Sequence, residues 1–191
     1  MSELDQTVIL AISQMKDFEK FLVSDMTYCA LMDVHIGQLK YMVDAAHAKG
    51  KKVFFHMDLL QGLTNDEYGC EYSCQMLKAD GVISTKAKVL STAKKNLCLA
   101  ILRLFLIDTK SLKKGIALCQ AVKPDYIEVL PGFSCSLLPY IQQEIETKIM
   151  CGGLIRTAEE IQYCFQMGAH AVTISNRKAA DEYMEKRKRL M

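Results

Sequence analysis

Eight times along this chain a short apolar run rich in β-formers is followed by a longer stretch with helical spacing. The runs fall at residues 8–12, 28–32, 52–57, 81–84, 98–107, 126–130, 148–151 and 171–175. The stretches between them carry apolar residues on one face. Ile36, Leu39, Val43 and Ala46 share a stripe that Lys49-Gly50 closes, as a left-handed glycine ends a helix. Thr64 and Glu67 have capping-box spacing ahead of Cys70, Cys74 and Leu77, and Thr157 and Glu160 repeat it ahead of Ile161, Cys164 and Phe165. Gly168 stops that last helix. Leu112, Ile116 and Cys119 form another stripe, with Lys110, Lys113 and Lys114 opposite.

Strands that alternate with helices pair in parallel through right-handed crossovers. Eight such units without a linker predict a compact α/β fold of the (β/α)₈ TIM-barrel type. One domain then spans 1–191, and an open doubly wound sheet is the alternative. At 191 residues the chain sits just under the usual barrel length of roughly 200 residues, so loops must be short.

Composition narrows the setting. Half of the residues are hydrophobic and 24% are charged, which suits a globular core. No charged-then-apolar leader opens the chain, and runs such as 97–102 are too short to cross a bilayer. The eight cysteines form no Cys-x-x-Cys pair and none stands at zinc spacing from a histidine. Reduced, packed thiols and a cytoplasmic protein with no metal and no membrane contact are the expectation. A net charge of +2 neither demands nor forbids a polyanionic partner.

Chemistry in a parallel barrel belongs at the C-terminal ends of the strands. Polar residues crowd there. Gly152 and Gly153 follow the seventh strand, and Ser175 and Asn176 follow the eighth. Barrel phosphate sites use these two loops and a helix N-terminus, where backbone amides face an anion. The bland reading of the paired glycines is a tight turn. The phosphate reading requires Gly153 and Ser175 to reach one ligand. His56 and Asp58 share one face of the third strand's end. Arg103 and Glu128 interrupt apolar runs in the fifth and sixth strands. As a lone buried charge is costly, they are expected to pair, either as a structural ion pair or as binders of ligand hydroxyls with Asp58. His56 is more often a satisfied core residue than an acid–base catalyst. Lys86, Lys88, Lys94 and Lys95 flank one helix, and Lys186, Arg187, Lys188 and Arg189 lie near the end of the chain. Such clusters are usually solvated faces, and RNA phosphates are the functional alternative.

Six ordered motifs resemble a known family. They are KKVFFHMDLLQGL at 51–63 with Asp66 and Glu67 after it, DGVISTK at 80–86, RLFLID at 103–108, KPDYIEVLPG at 123–132, GGLI at 152–155 and SN at 175–176. Together they are similar to the glycerol-3-phosphate-responsive antiterminators, regulators of bacterial glycerol uptake operons, over essentially the whole chain. Phe133-Ser134-Cys135 stands where members usually continue with a Met-Pro or Ile-Pro step. Cys151 stands where Ala is common, and Thr173-Ile174 where Ser and Thr are denser.

The resemblance implies a non-catalytic barrel. Glycerol 3-phosphate would be its effector and leader mRNA of glycerol-utilisation genes its partner, with no cofactor. It places the phosphate on Gly152, Gly153, Ser175 and Asn176. Strand position, not the resemblance, would turn Asp58, Arg103, Glu128 and His56 toward the polyol. RNA contact falls by expectation on Lys86, Lys88, Lys186, Arg187, Lys188 and Arg189. A homo-oligomer is compatible with this reading. The alternatives are a phosphate-binding barrel enzyme of isomerase or epimerase type, using His56, Asp58, Glu128 and Lys86 as acid–base groups, and a barrel whose ligand only stabilises it.

Overall fold

A computed structural model of the chain describes residues 4–190. Its strands are β1 (Thr7–Ile12), β2 (Tyr28–Leu31), β3 (Lys52–His56), β4 (Gly81–Ser84), β5 (Leu99–Phe105), β6 (Tyr126–Leu130), β7 (Lys148–Gly152) and β8 (Ala171–Ile174). The helices between and after them are α1 (Met15–Leu22), α2 (Ile36–His47), α3 (Glu67–Gln75), α4 (Ala87–Lys95), α5 (Thr109–Val122), α6 (Leu138–Glu144), α7 (Ala158–Gln166) and α8 (Arg177–Leu190). A 3₁₀ segment, Gly132–Leu137, precedes α6. Neighbouring strands pair in parallel in chain order, and β8 pairs back onto β1 with Val8 opposite Val172. The sheet is a closed eight-stranded barrel, as the alternating periodicities predict. The open sheet is set aside.

The period of two along each strand sorts side chains into two cores. Outward-facing Val53, Phe55, Val82, Leu102, Ile127, Val129 and Cys151 pack under the helices. Inward-facing Ile9, Tyr28, Ala30, Phe54, Ile83, Ile101, Tyr126, Met150 and Ala171 fill the barrel. Leu4 joins this inner cluster, fully buried, and its amide donates to the Tyr126 hydroxyl at 3.0 Å. The barrel is thus packed solid from its N-terminal end through its middle.

Two expectations change at element ends. The N-cap of α3 is Asp66, not Thr64: its carboxylate accepts from the Gly69 amide at 2.8 Å, and the Thr64 hydroxyl donates to it at 3.0 Å. The chain folds so tightly here that a Cβ on Gly69 would lie 1.9 Å from the Thr64 carbonyl oxygen. Thr64 therefore supports the cap instead of forming it. The apolar run 98–107 overshoots β5, which stops at Phe105 because Asp108 already caps α5 through the Ser111 amide. The Thr157–Glu160 capping box forms on α7 as expected, and Gly168 follows that helix with φ +96°.

All eight cysteines are free and buried. Burial pushes the Cys135 thiol up to about 12. Among the described residues no helix is long and apolar enough to cross a membrane. Nor is there, among them, a group of three or more His, Cys, Asp or Glu placed to hold a metal ion.

Candidate functional site

Above the apolar filling, the C-terminal mouth of the barrel changes character. His56 ends β3, Arg103 lies in β5, Glu128 in β6 and Thr173 in β8, all on inward positions. They border a cavity of about 130 Å³, which Ala11, Met32, Leu130, Gly153, Leu154, Ile155, Ile174 and Ser175 complete. A space of that volume suits a ligand of few heavy atoms.

Register brings the charged pair together. Arg103 stands opposite Glu128 on adjacent strands, with Arg103 Nε 3.6 Å from Glu128 Oε2. That is an ion pair without a hydrogen bond. The other carboxylate oxygen, Oε1, accepts from the Thr173 hydroxyl at 2.5 Å. Among the described residues, three buried polar atoms at this mouth have no hydrogen-bond partner: His56 Nδ1, Arg103 Nε and Glu128 Oε2. Buried polar groups are normally satisfied, so three in one small cavity are the pattern a polar ligand completes. Burial holds the His56 imidazole below its usual pKa, partly opposed by the nearby Glu128 carboxylate. His56 is therefore neutral near pH 7, with one ring nitrogen donating and one accepting.

Gly153 and Ser175 line the same cavity, so the two loops expected to share a phosphate do meet. Gly153 (φ +74°) and Leu154 (φ +59°) are both left-handed, turning the β7 loop over the mouth. A non-glycine residue in that region is uncommon, though Gln6, Asp33, Lys78, Leu97 and Lys123 adopt it too. Gly132 donates its amide to the Gly153 carbonyl at 2.7 Å, joining the β6 and β7 loops. Asn176 joins the β7 and β8 loops: its Nδ2 donates to the Arg156 carbonyl at 2.9 Å, and its Oδ1 accepts from the Ala179 amide, capping α8. The N-terminus of α8, with its partial positive charge, thus opens at this mouth.

Gly152 has a different reason to be glycine. A Cβ there would lie 2.1 Å from Thr173 Oγ1 and 2.8 Å from Glu128 Oε1. It leaves room for the Thr173–Glu128 hydrogen bond. Thr173 was not among the residues expected in the site. Its signal was the period of two, since it stands two residues before Ser175 on the same strand face.

Asp58 stands apart. Its carboxylate accepts from Asn65 Nδ2 at 2.5 Å, from the Thr85 amide at 3.1 Å and from the Thr85 hydroxyl at 3.1 Å. It fastens the β3 loop to the β4 loop and does not line the cavity. Lys86 donates to the Asn65 carbonyl at 2.7 Å, on the same loop.

The six basic residues expected near RNA do not form one patch. Lys86 and Lys88 are at the strand C-terminal end, where Lys88 pairs with Glu67 at 3.7 Å. Lys186 is held by Glu159 and Glu182. Arg187 reaches the Gln6 carbonyl and Lys188 pairs with Asp25; Gln6 and Asp25 precede β1 and β2, at the opposite end of the barrel. Arg189 is exposed nearby on α8.

Comparison with known proteins agrees with this architecture. A glycerol uptake operon antiterminator regulatory protein from Listeria monocytogenes is 43% identical, with a TM-score of 0.85 over 90% of this chain and 92% of that one. An antiterminator-related protein of Thermotoga maritima is 28% identical, with a TM-score of 0.79 over 91% and 96%. An uncharacterized Escherichia coli (strain K12) protein, YgcP, is 28% identical over 88% of both chains. Residues 8–179 match the family described as glycerol-3-phosphate responsive antiterminator, and the chain belongs to that family.

Proposed function

We propose that this protein binds glycerol 3-phosphate at the barrel mouth and, in response, acts on leader mRNA as a regulator that performs no chemistry on its effector. One observation carries the reading: three buried, unpartnered polar atoms and two loop residues of phosphate-site type border one cavity of about 130 Å³. In this reading the phosphate lies against Gly153, Ser175 and the N-terminus of α8, flanked by Gly152 and Asn176. The hydroxyls donate to Glu128 Oε2 and exchange hydrogen bonds with His56 and Arg103. Asp58 contributes by fixing the neighbouring loops.

The family supports the effector and the antiterminator role. The site speaks against an imine-forming catalyst. Among the described residues no lysine lines the cavity, so imine formation has no amine there. Lys86, the one lysine weighed as an acid–base group, spends its ammonium on a loop carbonyl.

Calorimetric titration with glycerol 3-phosphate, glycerol and inorganic phosphate tests the reading. The phosphorylated polyol should bind far more tightly than either fragment and raise the unfolding temperature. Leader-RNA affinity at fixed salt should then change with its concentration. Failure of glycerol 3-phosphate to bind, or its turnover into product, would refute the assignment.

A further inference from the structure

The mouth of the barrel is rimmed on one side by unburied apolar side chains. Phe105 at the end of β5 is 48% exposed, Ile107 85%, Phe133 in the 3₁₀ segment 71% and Leu154 in the β7 loop 71%. They belong to three adjacent loops that are hydrogen-bonded to one another: Leu106 donates to the Leu130 carbonyl, and Gly132 to that of Gly153. Scattered apolar residues need no explanation, whereas several on neighbouring loops around a binding site mark a contact surface.

Beside this rim α5 begins, and Lys110, Lys113 and Lys114 occupy one face of its first two turns. All three are exposed. Among the described residues none of the three makes an ion pair, in contrast to Lys88, Lys186 and Lys188. They crowd the helix end where the backbone dipole is itself positive, an arrangement that opposes helix stability. The neighbouring carboxylate, Asp108, is taken up by the Ser111 amide. Asp108 stays ionised, and three lysines against that one carboxylate leave a net positive field beside the rim that carries the two exposed phenyl rings. Phosphates need the first and unstacked bases the second.

We infer that the β5–β7 rim with the first turns of α5 is a docking surface for single-stranded RNA, with Lys110, Lys113 and Lys114 on phosphates and Phe105 and Phe133 stacking bases. This rests on the regulatory reading above and names the surface that reading lacks. It also links the two ligands. Arg103 pairs with Glu128 inside the cavity while its guanidinium carbon lies 5.1 Å from the centre of the Phe105 ring on the rim. Leu154 borders the cavity and belongs to the rim. An effector that engages Arg103 therefore acts on the groups that meet RNA.

The test compares wild type, K110A/K113A/K114A and, as a control on the opposite end, R187A/K188A. The probe is a fluorescent 5′ leader transcript of a glycerol-utilisation operon, titrated across a salt series with glycerol 3-phosphate present. The α5 variant should unfold at the wild-type temperature yet lose at least about tenfold in RNA affinity, with its salt slope reduced by about 2. The control should bind as wild type. The chain has no tryptophan, so Phe133→Trp adds a single fluorophore that RNA should quench. An unchanged slope in the α5 variant, with wild type binding, overturns the surface and leaves the regulatory reading intact. Loss of binding only in the control does the same. Self-association that weakens in Phe133→Ala while RNA affinity holds assigns the rim to a second copy instead. Wild type that never binds the transcript overturns both.

Discussion

Thr173 donates to one oxygen of the Glu128 carboxylate and leaves the other free of hydrogen bonds, turned toward Arg103 and the cavity. The hydroxyl thus fixes the carboxylate without using up its capacity to accept. A ligand hydroxyl can take the free oxygen without displacing a protein donor.

Thr173→Val keeps the shape and deletes the donor. A buried carboxylate oxygen is then orphaned, and the fold should lose about 1–3 kcal/mol. Urea unfolding measures this, and glycerol 3-phosphate affinity should fall in parallel. Gly152→Ala should have a related effect by a different route, because its methyl takes the place of the Thr173 hydroxyl. A Gly152→Ala variant that binds and unfolds like wild type would contradict the 2.1 Å approach to Thr173 Oγ1.

Glu128→Gln breaks the ion pair and leaves Arg103 partly buried without a counter-charge. The expected cost is about 3–5 kcal/mol. Adding Arg103→Met should recover much of the stability but not the ligand affinity. Additive losses in that double-mutant cycle would show that the two side chains do not interact.

His56 gives the stability a pH dependence. Its folded pKa lies below the ordinary value of 6.5, because burial disfavours the charged ring. Below pH 6.5 the unfolded chain binds a proton that the folded one resists, so the contribution is complete above pH 6.5 and is lost as pH falls toward the folded pKa. Unfolding free energies at pH 7.5 and 5.5 should show a smaller drop in His56→Gln than in wild type. Equal drops would mean that the ring titrates freely.

The thiols give a count that checks the packing. Eight free, buried cysteines should resist a thiol-reactive dye in the native state and all eight should react in denaturant. Rapid labelling of several without denaturant would contradict a closed barrel.

The barrel was legible in the sequence because strand and helix periods alternate cleanly, and because capping residues such as Thr157 and Glu160 act over three positions of chain. The pairing of Arg103 with Glu128 was legible too, since unmatched charges in neighbouring apolar runs have few other partners. Asp58 and Thr173 were less so. Strand position put Asp58 at the mouth, but its carboxylate is captured by Asn65 and Thr85, residues 7 and 27 positions away. Thr173 matters through Glu128, 45 positions earlier. Such contacts are set by closure of the sheet, and no local pattern encodes them. Ile107 shows the converse limit: it extended an apolar run, yet stands 85% exposed beyond the strand.

Leu4, wedged beneath Tyr126, makes the barrel a cup with a sealed floor. Whatever small molecule enters must leave by the way it came, past Leu154 and the phenyl rings. A macromolecule seated across that opening would trap the effector, so dissociation of the small ligand should slow many-fold once the larger one is in place.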